Sequence, residues 1–236
     1  MKKHILTGTV IMAASLLAAY AGPKDDVTSA AQKLQSGGNY SWQITVVVPA
    51  KARFKPGPIK GKIQGNLTDE KMSARDNTIE FIMNGTNVAI TDPDDGSWEK
   101  LSDVDTSGFG RFLVERVRNF QAPPAQAEDL VADVQSLQQN GNSYSGTLTE
   151  DGAKKLLTFG RGRRGGGPSV SNPSGTVTFS LEDGQLTKFE YHVKGTMTFR
   201  GNDFPVDNDT TVAISDVGTT KINVPEDAKK LLPSSN

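Results

Sequence analysis

Beyond its N-terminal leader the chain carries a single histidine, His192, flanked two residues away on either side by Glu190 and Lys194. An imidazole could act there as a general base or hold a metal ion. Either role needs a partner, a nucleophile or further ligands at metal-binding spacing, and none is marked in the sequence. Cysteine is absent, so thiol catalysis and cysteine-ligated metal sites are excluded. No serine stands in a Gly-x-Ser-x-Gly elbow, and no phosphate-binding glycine loop leads into Lys-Ser or Lys-Thr. Asp92-Pro93-Asp94-Asp95-Gly96 has the oxygen density of a calcium loop. Gly96 and Asp103, however, stand where an EF-hand needs an oxygen side chain and a glutamate. A hairpin turn is the better reading, with weak binding of a divalent ion by Asp92, Asp94 and Asp95 left open. The neighbouring acids Glu150/Asp151 and Asp103/Asp105 would serve glycoside hydrolysis only if held across a groove, which adjacency does not provide. No catalytic residue, metal ligand or cofactor is therefore assigned. A hydrolase built on unrecognised acids stands as a remote alternative.

These residues sit on elements that can be read from periodicity. From Leu186 to Arg200 the odd positions Phe189, Tyr191, Val193, Gly195, Met197 and Phe199 alternate with polar even positions. That pattern marks a strand with one buried and one wet face, and it puts His192 on the wet face. At about 3.3 Å per residue the strand spans roughly 40 Å, so curvature is expected, with a bend at Gly195. Tyr40, Trp42, Ile44, Val46 and Val48 form a second half-buried strand ended by Pro49. Ile59–Leu67 alternates in the same way, with Gly61 and Gly65 leaving room on its apolar face. Lys71–Arg75, Thr78–Met83, Asn87–Thr91 and a strand beginning at Trp98 continue an antiparallel meander through turns at Asn84-Gly85 and Asp92–Gly96.

Five helices are expected. Asp25 and Asp26 open the first, with Val27, Ala30, Ala31 and Leu34 on one stripe and Gly37-Gly38 as its stop. It is either a lid over a sheet or an ordinary packing helix. Phe109, Phe112, Leu113, Val117 and Phe120 fall at helical spacing, as do Ala127, Leu130, Val131 and Val134, with Pro123-Pro124 between the two sets. This pair reads as a helical hairpin against the sheet. A brief helix capped by Thr149 or Asp151 carries Leu156 and Leu157. Strands at Ser143–Thr149, Gly175–Leu181, Asn208–Ser215 and Thr220–Val224 complete the sheet, and Pro225 opens a last short helix. The hairpin before the long strand has two possible registers. A two-residue Asp183-Gly184 turn would put Phe179 opposite Lys188 and Val177 opposite Glu190. A three-residue Glu182–Gly184 loop instead pairs Leu181 with Gln185 and Val177 with Phe189, and this register is expected.

The first 21 residues read as a signal peptide. Lys2 and Lys3 precede a mostly apolar run from Ile5 to Tyr20, and Ala19-Tyr20-Ala21 is a small-x-small cleavage site. Export is therefore expected, to the periplasm or outside the cell. With no cysteine after the apolar run there is no lipid-modified N-terminus. Residues 22–236 read as one domain. Removing Lys2 and Lys3 takes the formal net charge from −1 to −3, against nucleic-acid binding. No later run is long and apolar enough to span a membrane. The Arg161–Gly167 run resembles an RGG tract; a flexible loop, or weak contact with an anionic surface, accounts for it in an acidic exported chain.

The order of these elements resembles a known family. An export signal leads to a short helix, then to the Trp-bearing strand Tyr40-Ser41-Trp42-Gln43-Ile44. A meander and a helical pair follow, and the chain closes through Thr211-Val212-Ala213-Ile214-Ser215-Asp216-Val217-Gly218 and Ile222-Asn223-Val224-Pro225. This is similar to the periplasmic lipoprotein carrier superfamily, with its LolA/LolB-like proteins and mycobacterial LppX/LprG-like lipoproteins. The resemblance covers nearly the whole mature chain by pattern order, and no site motif transfers position by position. It departs from LolB and the mycobacterial members in lacking a lipobox cysteine. The resemblance implies an α+β fold: an unclosed antiparallel half-barrel of about eleven strands with helices packed on its concave face.

Residues and resemblance together point to an exported, non-enzymatic binding protein. Its expected ligand is an apolar small molecule or lipid, such as lipoprotein acyl chains, held between sheet and helices. The candidate lining is Trp42, Ile44, Val46, Phe112, Leu113, Val117, Val177, Phe179, Phe189, Tyr191 and Val193. The odd face of the long strand should face the Phe112/Val117 helix. The alternative is a structural or interaction module of the cell envelope with a filled core and no ligand, and envelope proteins are possible partners under either reading. A continuous apolar cavity of about 300 Å³ or more separates the first reading from the second.

Overall fold

The structure, a computed structural model, describes residues 22–52, 55–74, 77–158 and 169–232. The leader and the Arg161–Gly167 run lie outside the described residues. Eleven strands form one antiparallel sheet in the order β6-β5-β4-β3-β2-β1-β11-β10-β9-β8-β7. The strands are β1 Asn39–Val47, β2 Ile59–Gln64, β3 Leu67–Ala74, β4 Asn77–Asn84, β5 Asn87–Thr91, β6 Trp98–Lys100, β7 Gln138–Asn140, β8 Ser143–Thr147, β9 Ser169–Glu182, β10 Gln185–Phe199 and β11 Asn202–Ser215. The helices are α1 Pro23–Gly37, α2 Gly108–Arg118, α3 Pro123–Asp133, α4 Glu150–Thr158 and α5 Glu226–Leu231. The two edge strands, β6 and β7, do not pair with each other, so the sheet stays open. The chain leaves the sheet at edge β6 and rejoins it at edge β7. The segment between them, α2 and α3, has to cross one face of the sheet.

Cross-strand partners share a face, and one row of them defines the concave side. It runs Ile79–Met72–Ile59–Ile44–Val212–Phe189–Phe179–Tyr144 over eight strands, from β4 to β8, and every member is apolar or aromatic. A second row, Ile90–Phe81–Glu70–Gly61–Trp42–Ile214, lies beside it and contains one charge, Glu70. Helices α1 to α4 cover this side. The stripe Val27, Ala30, Ala31 and Leu34 of α1 is buried against it, as expected from its spacing. At the start of α4, Thr149 Oγ1 accepts the Gly152 N–H at 3.0 Å, which makes Thr149 the cap. The fifth helix sits on the other side. Ala228 and Leu232 pack on Ile82 and Ala89, which alternate with the inward Phe81 and Ile90.

The structure corrects the sequence reading in several places. The β9–β10 hairpin turns on Asp183 and Gly184, at φ 50° and 69°, and Leu181 pairs directly with Leu186. The three-residue loop is therefore wrong. The polar-apolar mismatch that argued for it is removed by a bulge at Thr187, after which Lys188 faces Ser180 and Phe189 faces Phe179. Thr187 Oγ1 donates to the Ser180 carbonyl at 3.2 Å, giving the bulged residue a partner. A second register shift falls between Lys194 and Thr196, where a bend was expected. The apparent Ile59–Leu67 strand is two strands, because Gly65 at φ 61° turns the chain between β2 and β3. Thr220–Val224 joins no strand among the described residues: the Thr220 N–H bonds Asp216 O, and the Ile222 N–H bonds Gln64 Oε1. Pro225 caps α5 from just outside the helix.

Candidate apolar-ligand site

The concave face holds two apolar clusters. The larger lies under α1, α3 and α4 and includes Tyr40, Trp42, Val177, Phe179, Leu186, Phe189, Val193 and Val212. The smaller lies under α2, where Leu113, Val114 and Val117 meet Met72, Ile79, Phe81 and Ile90. Phe120, in the α2–α3 connection, packs against both. Its ring centroid is 6.1 Å from Trp42 and 5.8 Å from Phe81. Trp42 in turn lies flat against β2. A Cβ at Gly61 would come within 2.0 Å of the indole, so the space left by that glycine is taken by the chain's own tryptophan.

The candidate lining residues divide accordingly. Trp42, Val177, Phe179, Phe189 and Val193 are buried in the larger cluster, and Ile44 and Tyr191 are half-buried against it. Leu113 and Val117 are buried in the smaller one. Val46 is half-buried in the row with Thr210, Tyr191 and Val177. Phe112 turns away from the interior: it is 53% exposed and stacks on Phe109, itself 42% exposed, with centroids 5.6 Å apart. Successive turns of α2 cannot all face inward, and Leu113, Val114 and Val117 take the inner side. The long strand β10 therefore faces α1 and α4, not α2; α2 stands over β3, β4 and β5.

Sequence reading missed the charge in the second of these rows. Glu70 is 1% exposed and accepts a 2.5 Å hydrogen bond from Arg116 Nη2 on α2. Burial pushes the Glu70 carboxyl above the usual range, and the guanidinium opposes that shift. In sequence Glu70 sits in Thr68-Asp69-Glu70-Lys71, which reads as an ordinary polar stretch. Only the pairing of β3 with Gly61 and Phe81 shows that Glu70 faces inward. Asp69 beside it faces the outer side and is 6% exposed. Burial first, then the Glu80 charge, raises its pKa to about 6, against the pull of Lys71 and Lys62.

His192 lies on the outer face, with Asp209 2.8 Å from Nδ1 and Asp207 3.2 Å from Nε2. No cluster of three or more metal-binding side chains occurs among the described residues. The acids of Asp92–Gly96 serve their own turn, with Asp92 accepting the Asp94 N–H and Asp95 accepting that of Ser97. Two open surface depressions are lined mainly by polar and charged residues. One, of about 560 Å³, is lined by Asp133, Thr149, Asp151, Lys154, Lys155 and Thr158. The other, of about 280 Å³, lies beside α2 at Thr106, Arg111, Val114, Glu115 and Arg118. Neither opens between the sheet and the helices. No helix among the described residues is long and apolar enough to cross a membrane.

No family model matches this sequence, and no curated protein does. Among solved structures the chain is similar to the lipoprotein LppX of Mycobacterium tuberculosis. The identity is 13%, with 86% of this chain and 98% of that one covered and a TM-score of 0.46. It is also similar to LprF from Mycobacterium bovis, at 12% identity over 87% of this chain and 97% of that one, with a TM-score of 0.42.

Proposed function

We propose that this is an exported, non-enzymatic protein that shelters an apolar ligand, a lipid or acyl chain, between its sheet and α2. The observation that carries the proposal is the division of the concave core. An eight-strand apolar row is roofed by two separate pieces, and α2 covers its own cluster, joined to the rest through Phe120. Displacing α2 would bare Met72, Ile79 and Phe81 while the larger cluster stayed packed under α1 and α4. Trp42, Leu113 and Val117 then border the ligand, and Phe112 with Phe109 forms an outer apolar rim. The remaining lining candidates, Ile44, Val46, Val177, Phe179, Phe189, Tyr191 and Val193, form the wall continuous with that space.

A second reading, an envelope scaffold with no ligand, is favoured by the filled interior and above all by Trp42 against Gly61. Native mass spectrometry of protein purified from its own envelope separates the two. Carriage predicts a bound mass that organic extraction releases as lipid. Recovery of the bare chain alone, with nothing extractable, supports the scaffold.

A further inference from the structure

Arg116 is the only cation on the inner side of α2, and its hydrogen bonding is incomplete. Nη2 holds Glu70, whereas Nε is buried and has no acceptor among the described residues. A buried N–H of this kind is costly to leave unpaired. It lies at the boundary of the two clusters, because Glu70 is flanked across the sheet by Gly61, under Trp42, and by Phe81, beside Phe120. The side chain as a whole is 25% exposed, but Nε itself is shielded from solvent, so an acceptor meets it only in the space that a shift of α2 opens.

The charge balance decides what would complete it. Glu70 already neutralises the guanidinium at 2.5 Å. A second carboxylate or a phosphate would leave one unbalanced negative charge in an apolar setting, which is strongly disfavoured. A neutral acceptor carries no such penalty. Resting on the carrier reading above, we propose that Arg116 Nε is the polar anchor of the ligand site and takes the carbonyl oxygen of an uncharged acyl ester, selecting esterified chains over free fatty acids. The acyl chain then lies against Met72, Phe81 and Val117.

The test is competition against a neutral fluorescent probe, N-phenyl-1-naphthylamine, by 1-decanoylglycerol, decanoate and decane. The wild-type chain should prefer the ester to decanoate by about tenfold, because only decanoate brings an unbalanced negative charge into the apolar site. Arg116→Lys keeps a cation for Glu70 but lacks Nε; it should bind probe and decane as before and lose the ester preference. Glu70→Gln leaves the guanidinium unbalanced and should shift preference towards decanoate. Equal binding of ester and decanoate by the wild type, or an ester preference that survives Arg116→Lys in a folded variant, overturns the ester site but leaves the carrier intact. Failure of all three compounds to displace bound probe overturns the carrier reading and the ester site together.

Discussion

At the scale of single residues, the two buried acids on β3 point in opposite directions and behave differently. Glu70 is held by a cation, Arg116, whereas Asp69 shares a hydrogen bond with the Glu80 carboxyl and its Oδ1 has no partner among the described residues. Breaking the Glu70 pair from one side should be severe. Arg116→Met leaves a carboxylate buried alone and is expected to cost about 3 kcal/mol in urea unfolding, most of it recovered in Glu70→Leu/Arg116→Met. Additive losses in the double variant would contradict this. For Asp69 the sign follows from its raised pKa. The folded state holds the proton up to about pH 6, and the unfolded chain only to about pH 4. Its stabilising contribution is therefore full below about pH 4 and is lost as pH rises through 6. Asp69→Asn should stabilise the protein at pH 7, by on the order of 2 kcal/mol, and flatten the pH dependence between 4 and 6. Thermal melts across that range check it; an unchanged slope would count against the buried, proton-holding Asp69. Neither acid is legible in the sequence, because a four-residue polar run does not reveal which member faces the core.

The elements were legible wherever alternation or helical spacing was clean. The stripe of α1, the helix pair around Pro123-Pro124 and the long strand β10 follow directly from residue type. Boundaries set by single side chains were not. The Thr187 bulge lets a two-residue turn coexist with aligned aromatics, and no pattern in the sequence announces it. Gln138–Asn140 becomes β7 only because β8 offers an edge, and Thr220–Val224 loses strand status because its donors go elsewhere, Thr220 N–H to the Asp216 carbonyl and Ile222 N–H to the Gln64 side chain. Gly61 was read as room for a bulky group, which is right, but the occupant is Trp42. Gly61→Ala should force the indole aside, cost about 1–3 kcal/mol and alter the near-ultraviolet dichroism. An unaltered spectrum with wild-type stability would show that the contact is looser than described. On α2, Phe109→Ser/Phe112→Ser removes exposed rings and should change stability by less than about 0.5 kcal/mol. A large loss there would mean the pair is structural and not a rim.

For the whole molecule, the open sheet sets the division of labour. The chain must cross from edge β6 to edge β7, so α2 and α3 are placed over the concave face by topology, and the apolar rows give them a surface to bury. The C-terminal segment binds the outer face through Ile222, Ala228 and Leu232, away from that crossing. The claim that matters is that the space between α2 and the sheet receives a chain. A photoreactive decanoyl ester, crosslinked to the folded protein and mapped by peptide sequencing, tests it directly. Carriage under α2 predicts labels on β3–β4 around Met72, Ile79 and Phe81 and on α2 at Leu113 and Val117, competed away by unlabelled ester. Labelling confined to the surface grooves at Lys154 and Arg118, or none above background, would contradict it.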